Sequence, residues 1–84
     1  MRSRDRLERL IVVAYDVRDD ARRARLARVL EDYGVRTQLS VFECSLAMPE
    51  FLSLLRATEQ LIDSRADRIA YYRVCERCSP RQGA

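Results

Sequence analysis

The sequence predicts a single α+β domain, a mostly antiparallel sheet with two helices on one of its faces. Segments with strand-like and helix-like apolar spacing follow one another in the order strand, helix, strand, helix, strand. The apolar pattern of the middle strand changes phase, which predicts that this strand is bent or split. The 84 residues are 48% hydrophobic and 35% charged, a composition typical of a folded globular domain and not of a disordered chain.

The first strand and helix are predicted from the segment that surrounds Asp16. Residues 10–15 are continuously apolar and rich in β-branched side chains, as in a strand buried on both faces, and they run directly into Asp16. Either Asp19 or Asp20 can cap the helix that follows. Its apolar residues recur at helical spacing and are Leu26, Val29, Leu30 and Tyr33. Gly34 then stands where a C-terminal helix cap belongs.

The middle strand covers residues 35–46 and changes its apolar parity near Val41. The apolar or inward-facing positions are first odd-numbered and then even-numbered: Val35, Thr37, Leu39 and Val41, followed by Phe42, Cys44 and Leu46. A regular strand cannot move its apolar residues from one face to the other. We therefore expect either one long strand with a bulge or two short strands joined by a tight turn.

A second helix and a last strand complete the predicted domain. Pro49 suits the first turn of the helix, and one apolar face is formed by Phe51, Leu54, Leu55, Thr58 and Ile62. Residues 68–75 alternate as a strand. This order is that of the split βαβ, ferredoxin-like arrangement, whose sheet leaves one face uncovered. Apolar residues on that face would require a partner, and a second copy of the same sheet is the simplest one.

The domain boundaries and the location of the protein follow from composition. We expect an N-terminal extension at residues 1–8, the ferredoxin-like domain at residues 9–78 and a flexible tail at residues 79–84. No apolar run approaches the roughly 20 residues of a membrane span, and the arginine-rich start does not resemble a signal peptide. The expected location is therefore the cytoplasm, with Cys44, Cys75 and Cys78 reduced.

The absence of histidine excludes several classes of active site. Neither a Ser-His-Asp or Cys-His nucleophile system nor a zinc site with histidine ligands can be built from this sequence. General acid–base chemistry near neutral pH would then need carboxylates with perturbed pKa values or a metal-bound water.

All sixteen basic residues are arginine, and the net charge is +3. Arginine binds phosphate through a bidentate fork, so this bias suits a nucleic-acid partner. Genomic base composition or adaptation to heat explains the same bias equally well, and both explanations stay open.

Asp16 is the main candidate for chemistry. At the end of a strand its carboxylate can act as a hard oxygen ligand for Mg²⁺, and a two-fold axis could bring it together with its symmetry mate. A turn or capping aspartate is the alternative. Arg23, Arg25 and Arg36 can hold phosphates near Asp16, although each also suits a solvated surface. Phe42 can stack on a base or belong to the core.

Three segments resemble the CRISPR-associated protein 2 family. They are "VVAYDVRDDARRARL", "LEDYGVRTQLSVFECSL" and "DRIAYYRVC", which together cover most of residues 9–78. The resemblance implies a ferredoxin-like homodimer in which Asp16 coordinates a metal ion and faces its symmetry mate, with Tyr15 as a catalytic neighbour. It further implies that five residues serve activity or nucleic-acid contact: Arg23, Arg25, Arg36, Ser40 and Phe42.

The activity implied by the resemblance is that of an endonuclease dependent on Mg²⁺, or on Mn²⁺, that hydrolyses single-stranded RNA or double-stranded DNA. Such proteins act in CRISPR spacer acquisition and antiviral defence. One alternative is a non-catalytic homodimer that binds duplex DNA and bridges the CRISPR-associated protein 1 integrase. A second alternative is an mRNA-cleaving ribonuclease of the virulence-associated protein D type, a toxin that shares the fold and the chemistry.

Overall fold

The structure, a computed structural model, describes residues 8–74. Its elements are β1 (Arg9–Asp16), α1 (Asp20–Glu31), β2 (Val35–Gln38), β3 (Val41–Leu46), α2 (Met48–Glu59) and β4 (Arg68–Val74). The expected N-terminal extension, apart from Glu8, lies outside the described residues, and so do the tail, Cys75, Cys78 and the domain boundary at residue 78. Between residues 8 and 74, no helix combines the length and the apolar character needed to cross a bilayer.

The four strands form one antiparallel sheet in the order β2-β3-β1-β4. β1 lies between β3 and β4 and is antiparallel to both. Crossovers through α1 and α2 give this strand order, which is that of the ferredoxin-like fold. The predicted fold class is therefore confirmed. The register places Asp16, the last residue of β1, opposite Arg68, the first residue of β4.

The core lies on one face of the sheet, against the two helices. Along β1 the side chains of Ile11, Val13 and Tyr15 are buried, and they cluster with apolar residues of both helices and of β3. The alternation of a strand sends the other set of β1 side chains to the opposite face. That set is Leu10, Val12, Ala14 and Asp16. We call this second face, which no described element covers, the open face.

The phase change in residues 35–46 corresponds to both predicted irregularities. A two-residue turn at Leu39 and Ser40 separates β2 from β3, and the register between Arg36 and Gln38 shifts by one residue. The expectation that Val35 and Leu39 face inward is wrong, since they are 67% and 77% exposed. The reason is position. Val35 lies opposite the exposed Glu43 and therefore on the open face, in an edge strand whose four residues are all exposed. Leu39 lies in the turn that follows this strand.

The sequence predicted the cap at the N-terminal end of α1 correctly, but not the conformation at its C-terminal end. Asp19 is the N-cap, and its carboxylate accepts a 2.8 Å hydrogen bond from the backbone N–H of Arg22. At the other end the cap is Asp32, and the backbone N–H of Gly34 donates to the Leu30 carbonyl at 3.0 Å. Gly34 has no positive φ, so the left-handed cap that favours glycine is not formed. A Cβ at Gly34 would lie 2.2 Å from the backbone oxygen of Glu43. Glycine is therefore needed for close approach to β3.

Candidate functional site

Asp16 is exposed at the end of β1, and the alternation of the strand directs its side chain to the open face. Within residues 8–74 its carboxylate has no ion-pair partner and accepts no side-chain hydrogen bond. It also borders a shallow depression that includes Arg68 and Ala70 of β4. An acceptor that the fold leaves without a partner at a strand end is available to a ligand from outside the chain.

One chain supplies few ligands for a metal ion. No group of three or more acidic or cysteine side chains comes together in the part of the chain that the structure describes. Mg²⁺ keeps several waters when bound and often uses only one or two protein carboxylates. The single Asp16 carboxylate therefore fits Mg²⁺ as one of few protein ligands, and residues 8–74 do not complete a set of three such ligands around it.

Asp16 also lines a cleft of about 420 Å³ between the end of β1, the first turns of α1 and the β2–β3 turn. We call it the Asp16 cleft. It brings together five of the seven residues that the sequence singled out: Tyr15, Asp16, Arg23, Arg36 and Ser40. Their gathering follows from the topology, because the β2–β3 turn lies beside the end of β1 in an antiparallel sheet.

Tyr15 holds the β2–β3 turn against β1. Its hydroxyl donates a 3.4 Å hydrogen bond to the carbonyl of Leu39, and its backbone N–H donates to the carbonyl of Ser40 at 3.1 Å. Its ring is buried and stacks on Phe42 with 6.3 Å between the centroids. These contacts give Tyr15 a positioning function in the cleft, and its catalytic role stays a prediction.

The two arginines of the cleft differ in whether their guanidinium groups already have partners within residues 8–74. Arg23 donates a 2.9 Å hydrogen bond to the carbonyl of Val17 and forms an ion pair with Asp20, so its guanidinium is partly neutralised. Arg36 is exposed, lies 5.5 Å from the centroid of the Phe42 ring, and pairs with no carboxylate among residues 8–74. Arg36 is thus the cation of the cleft best placed to bind a phosphate.

Two predicted contact residues lie elsewhere. Phe42 is 0% exposed, so its ring belongs to the core, as the alternative interpretation held, and cannot stack on a base in this structure. Its position beneath Tyr15 and Arg36 makes it a support for the cleft. Arg25 is exposed on α1 but does not line the cleft. It follows Arg23 by two residues, a rotation of about 200° around a helix.

Sequence reasoning missed a buried ion pair behind the site. The guanidinium of Arg22 donates two hydrogen bonds to the carboxylate of Asp67, at 2.8 and 3.1 Å, and the Asp67 side chain has no exposed surface. The Asp63 backbone N–H donates to the same carboxylate at 2.8 Å. The hydrogen bonds from Arg22, and then the one from Asp63, lower the pKa of Asp67.

This pair fastens the start of α1 to the residue that precedes β4, and so fixes the two segments that flank Asp16 and Arg68. In the sequence, residues 63–67 look like an ordinary polar connection. An acidic residue directly before a strand was the one available signal, and it does not identify a partner 45 positions away.

Comparison with known proteins gives concordant matches. The family model described as CRISPR associated protein Cas2 matches residues 9–82. The CRISPR-associated endoribonuclease Cas2 4 of Rhodospirillum rubrum is 39% identical over 71 residues, which are 84% of this chain and 57% of that relative. The chain thus spans little more than half the length of that protein. The CRISPR-associated endonuclease Cas2 2 of Thermus thermophilus is 46% identical over 67 residues, which are 80% of this chain and 74% of the relative.

A solved structure agrees with the sequence matches. The crystal structure of Streptococcus pyogenes Cas2 at pH 6.5 superposes with a TM-score of 0.77 at 34% identity, covering 86% of this chain and 93% of that one. The similarity therefore extends over most of the chain and supports the fold assigned above.

Proposed function

Because this chain belongs to the CRISPR associated protein Cas2 family, we propose that it is a metal-dependent endonuclease of CRISPR spacer acquisition. It would hydrolyse phosphodiester bonds in single-stranded RNA or duplex DNA. Two relatives are named as an endoribonuclease and an endonuclease, which supports nuclease activity for this chain. The observation that carries the proposal is the exposed Asp16 carboxylate, which has no partner within residues 8–74 and lies beside a cleft that contains Arg36.

The active form in this proposal is a homodimer in which two open faces pack together. Large apolar side chains are exposed on this face, with Tyr72 at 57%, Val35 at 67% and Leu10 at 36%. Burying them against a second copy would be stabilising by about 25 cal/mol for each Å² of apolar surface. Asp16 lies on the same face, so a two-fold axis through the contact relates it to Asp16 of the partner subunit.

Four residues of the Asp16 cleft have a stated role in this proposal. Asp16 and the partner's Asp16 would hold Mg²⁺ or Mn²⁺. When bound, the metal ion supplies an activated water and offsets negative charge on the scissile phosphate. Arg36 binds a neighbouring phosphate and Arg23 adds its remaining donors, so that the scissile bond is oriented toward the carboxylates. Tyr15 keeps the β2–β3 turn, and with it Arg36, in place.

The test compares Asp16→Asn with a matched variant, Asp32→Asn. Both remove one exposed carboxylate, but Asp32 lies at the far end of α1 and does not line the cleft. Labelled single-stranded RNA and duplex DNA are incubated with the full chain, with Mg²⁺, Mn²⁺ or EDTA. We expect metal-dependent cleavage by the wild type and by Asp32→Asn, and a loss of about 100-fold or more in Asp16→Asn.

The oligomeric state is measured in parallel by light scattering after size exclusion. A wild-type dimer whose mass is unchanged in Asp16→Asn shows that lost cleavage is not lost assembly. Cleavage that persists at the wild-type rate in Asp16→Asn would refute the assignment of Asp16, and a strictly monomeric active enzyme would refute the shared metal site.

A second candidate is an architectural role, and one observation favours it. Residues 8–74 offer one free carboxylate at the site, and the sequence has no histidine to act as a general base, whereas exposed arginines are abundant. In this alternative the dimer binds duplex DNA and bridges the CRISPR-associated protein 1 integrase without hydrolysis. It predicts that the wild type and Asp16→Asn bind duplex DNA equally well, and that this binding weakens as salt rises. It also predicts that neither protein cleaves the DNA.

A further inference from the structure

A second recess lies at the opposite end of β1 from Asp16, on the side of the sheet that carries the helices. It has a volume of about 250 Å³ and is lined by Arg9, Ile11, Leu46, Met48, Phe51 and Arg73. We call it the Arg9–Arg73 groove. Asp16 and Arg9 are the two ends of an eight-residue strand, which separates them by roughly 23 Å. The groove is therefore distinct from the Asp16 cleft.

The groove continues into exposed apolar surface on α2. Met48 and Leu52 are 53% and 49% exposed, and their i, i+4 spacing places them on one side of the helix. The remaining large exposed hydrophobic residues lie on the open face or at the Asp16 cleft: Leu10, Val35, Tyr72 and Leu39. Met48 and Leu52 thus form an apolar patch that neither the proposed dimer nor the cleft accounts for.

The charges at the groove have one sign. Register and alternation place Arg9 and Arg73 on the same side as Ile11, so they flank the apolar floor. Both are exposed, and neither forms an ion pair with any residue between 8 and 74. A nucleic-acid backbone is recognised by a row of cations along its phosphates. Two cations on either side of an apolar floor complement a peptide that has an apolar side chain between carboxylates.

We propose that the Arg9–Arg73 groove docks an acidic peptide segment of a partner protein. A bulky apolar side chain of that segment fills the recess above Ile11 and Leu46. A second apolar side chain covers Met48 and Leu52, and carboxylates on both sides pair with Arg9 and Arg73. Such an interface has a small buried apolar anchor and a charged rim, the usual anatomy of a peptide-binding hot spot. The proposal does not depend on nuclease activity.

The experiment uses the full chain and a short fluorescein-labelled peptide with a leucine and a phenylalanine between aspartates and glutamates. Fluorescence anisotropy measures its dissociation constant. Arg73→Glu and Leu52→Asp should each weaken binding by about tenfold, the effect of one lost contact of about 1.4 kcal/mol. Arg65→Glu is the matched control, since Arg65 is exposed in the α2–β4 connection and does not line the groove.

Two further comparisons define the chemistry. A peptide with serine in place of both apolar residues should bind at least about tenfold more weakly, since apolar burial supplies the anchor. Amide shifts in an ¹⁵N spectrum of the labelled chain should be largest at Ile11, Leu46 and Met48. The proposal is overturned if Arg65→Glu weakens binding as much as Arg73→Glu, if the serine peptide binds equally well, or if an oligonucleotide and not the peptide shifts these amides.

Discussion

Replacing Gly34 by alanine should destabilise the domain, because β3 lies against the α carbon of this residue. The new Cβ would be 2.2 Å from the Glu43 backbone oxygen and 2.6 Å from the Cys44 Sγ. Relief requires the chain segments to separate by about 1 Å, to reach the 3.0–3.4 Å of a tight contact. Overpacking of this kind costs about 1–3 kcal/mol. The upper end of this range applies, because the shortest contact is with backbone, which cannot move aside as the end of a flexible side chain can. The lower entropy of unfolded alanine returns only about 0.4–1 kcal/mol, which leaves a net loss of about 2 kcal/mol.

The measurement is thermal unfolding followed by circular dichroism, with urea unfolding as a second probe. For a domain of this size a loss of about 2 kcal/mol lowers Tm by about 8–16 °C. Cys44→Ala provides a second background. It removes the Sγ contact but leaves the Glu43 backbone contact, so Gly34→Ala should still cost more than half of its original effect there. An unchanged or raised Tm for Gly34→Ala would refute the close-approach argument.

Three further predictions concern the buried polar groups and the cleft. Asp67→Asn should lower the free energy of unfolding at neutral pH, because Arg22 loses its charged partner. Since the folded-state pKa of Asp67 is lowered by Arg22, the wild-type advantage is present above its unfolded pKa of about 4 and disappears as pH falls through the folded value in urea titrations. Tyr71→Phe should cost about 1 kcal/mol in urea unfolding, because it removes the 2.5 Å hydrogen bond to the Thr58 hydroxyl. Arg36→Met should weaken duplex-DNA binding and reduce the salt slope by about one in anisotropy titrations.

Each of these predictions has a result that contradicts it. An Asp67→Asn difference that stays constant from neutral pH to pH 3 would show that charge on Asp67 does not matter. The Thr58 hydroxyl also donates to the Leu54 carbonyl at 2.9 Å. If Tyr71→Phe leaves the free energy of unfolding unchanged, this hydroxyl needs no second partner. Arg65→Met is the control for Arg36→Met, and an equal salt slope in the two variants would count against a phosphate at Arg36.

The fold was largely predictable because its elements have strong periodicity. The order of elements and the break near Leu39 are as the apolar patterns predict, and Asp19 is one of the two caps that the sequence offered. The family predicted from the motifs is confirmed by the match over residues 9–82. The residues that end a strand or cap a helix act on their immediate neighbours in the chain, so these features can be predicted from a single sequence.

What the sequence did not predict depends on contacts between distant segments. Parity places Val35 on one face of its strand but does not say which face the helices cover, and the register of β2 puts Val35 on the open face. Gly34 was assigned to a helix cap, whereas glycine is required there because β3 approaches its α carbon closely. The Arg22–Asp67 pair joins positions 45 residues apart. Phe42 was open to two interpretations until its neighbours Tyr15 and Arg36 were placed around it.

The irregularity of β2 has a consequence for how copies of this protein can meet. With four residues, a bulge at Thr37 and a charged side chain at Arg36, this border of the sheet is a poor template for a strand from another molecule. Growth of an open-ended fibril through main-chain pairing is disfavoured there. In the proposed dimer, contact through the open face would instead use each copy once, so that assembly would close after two molecules.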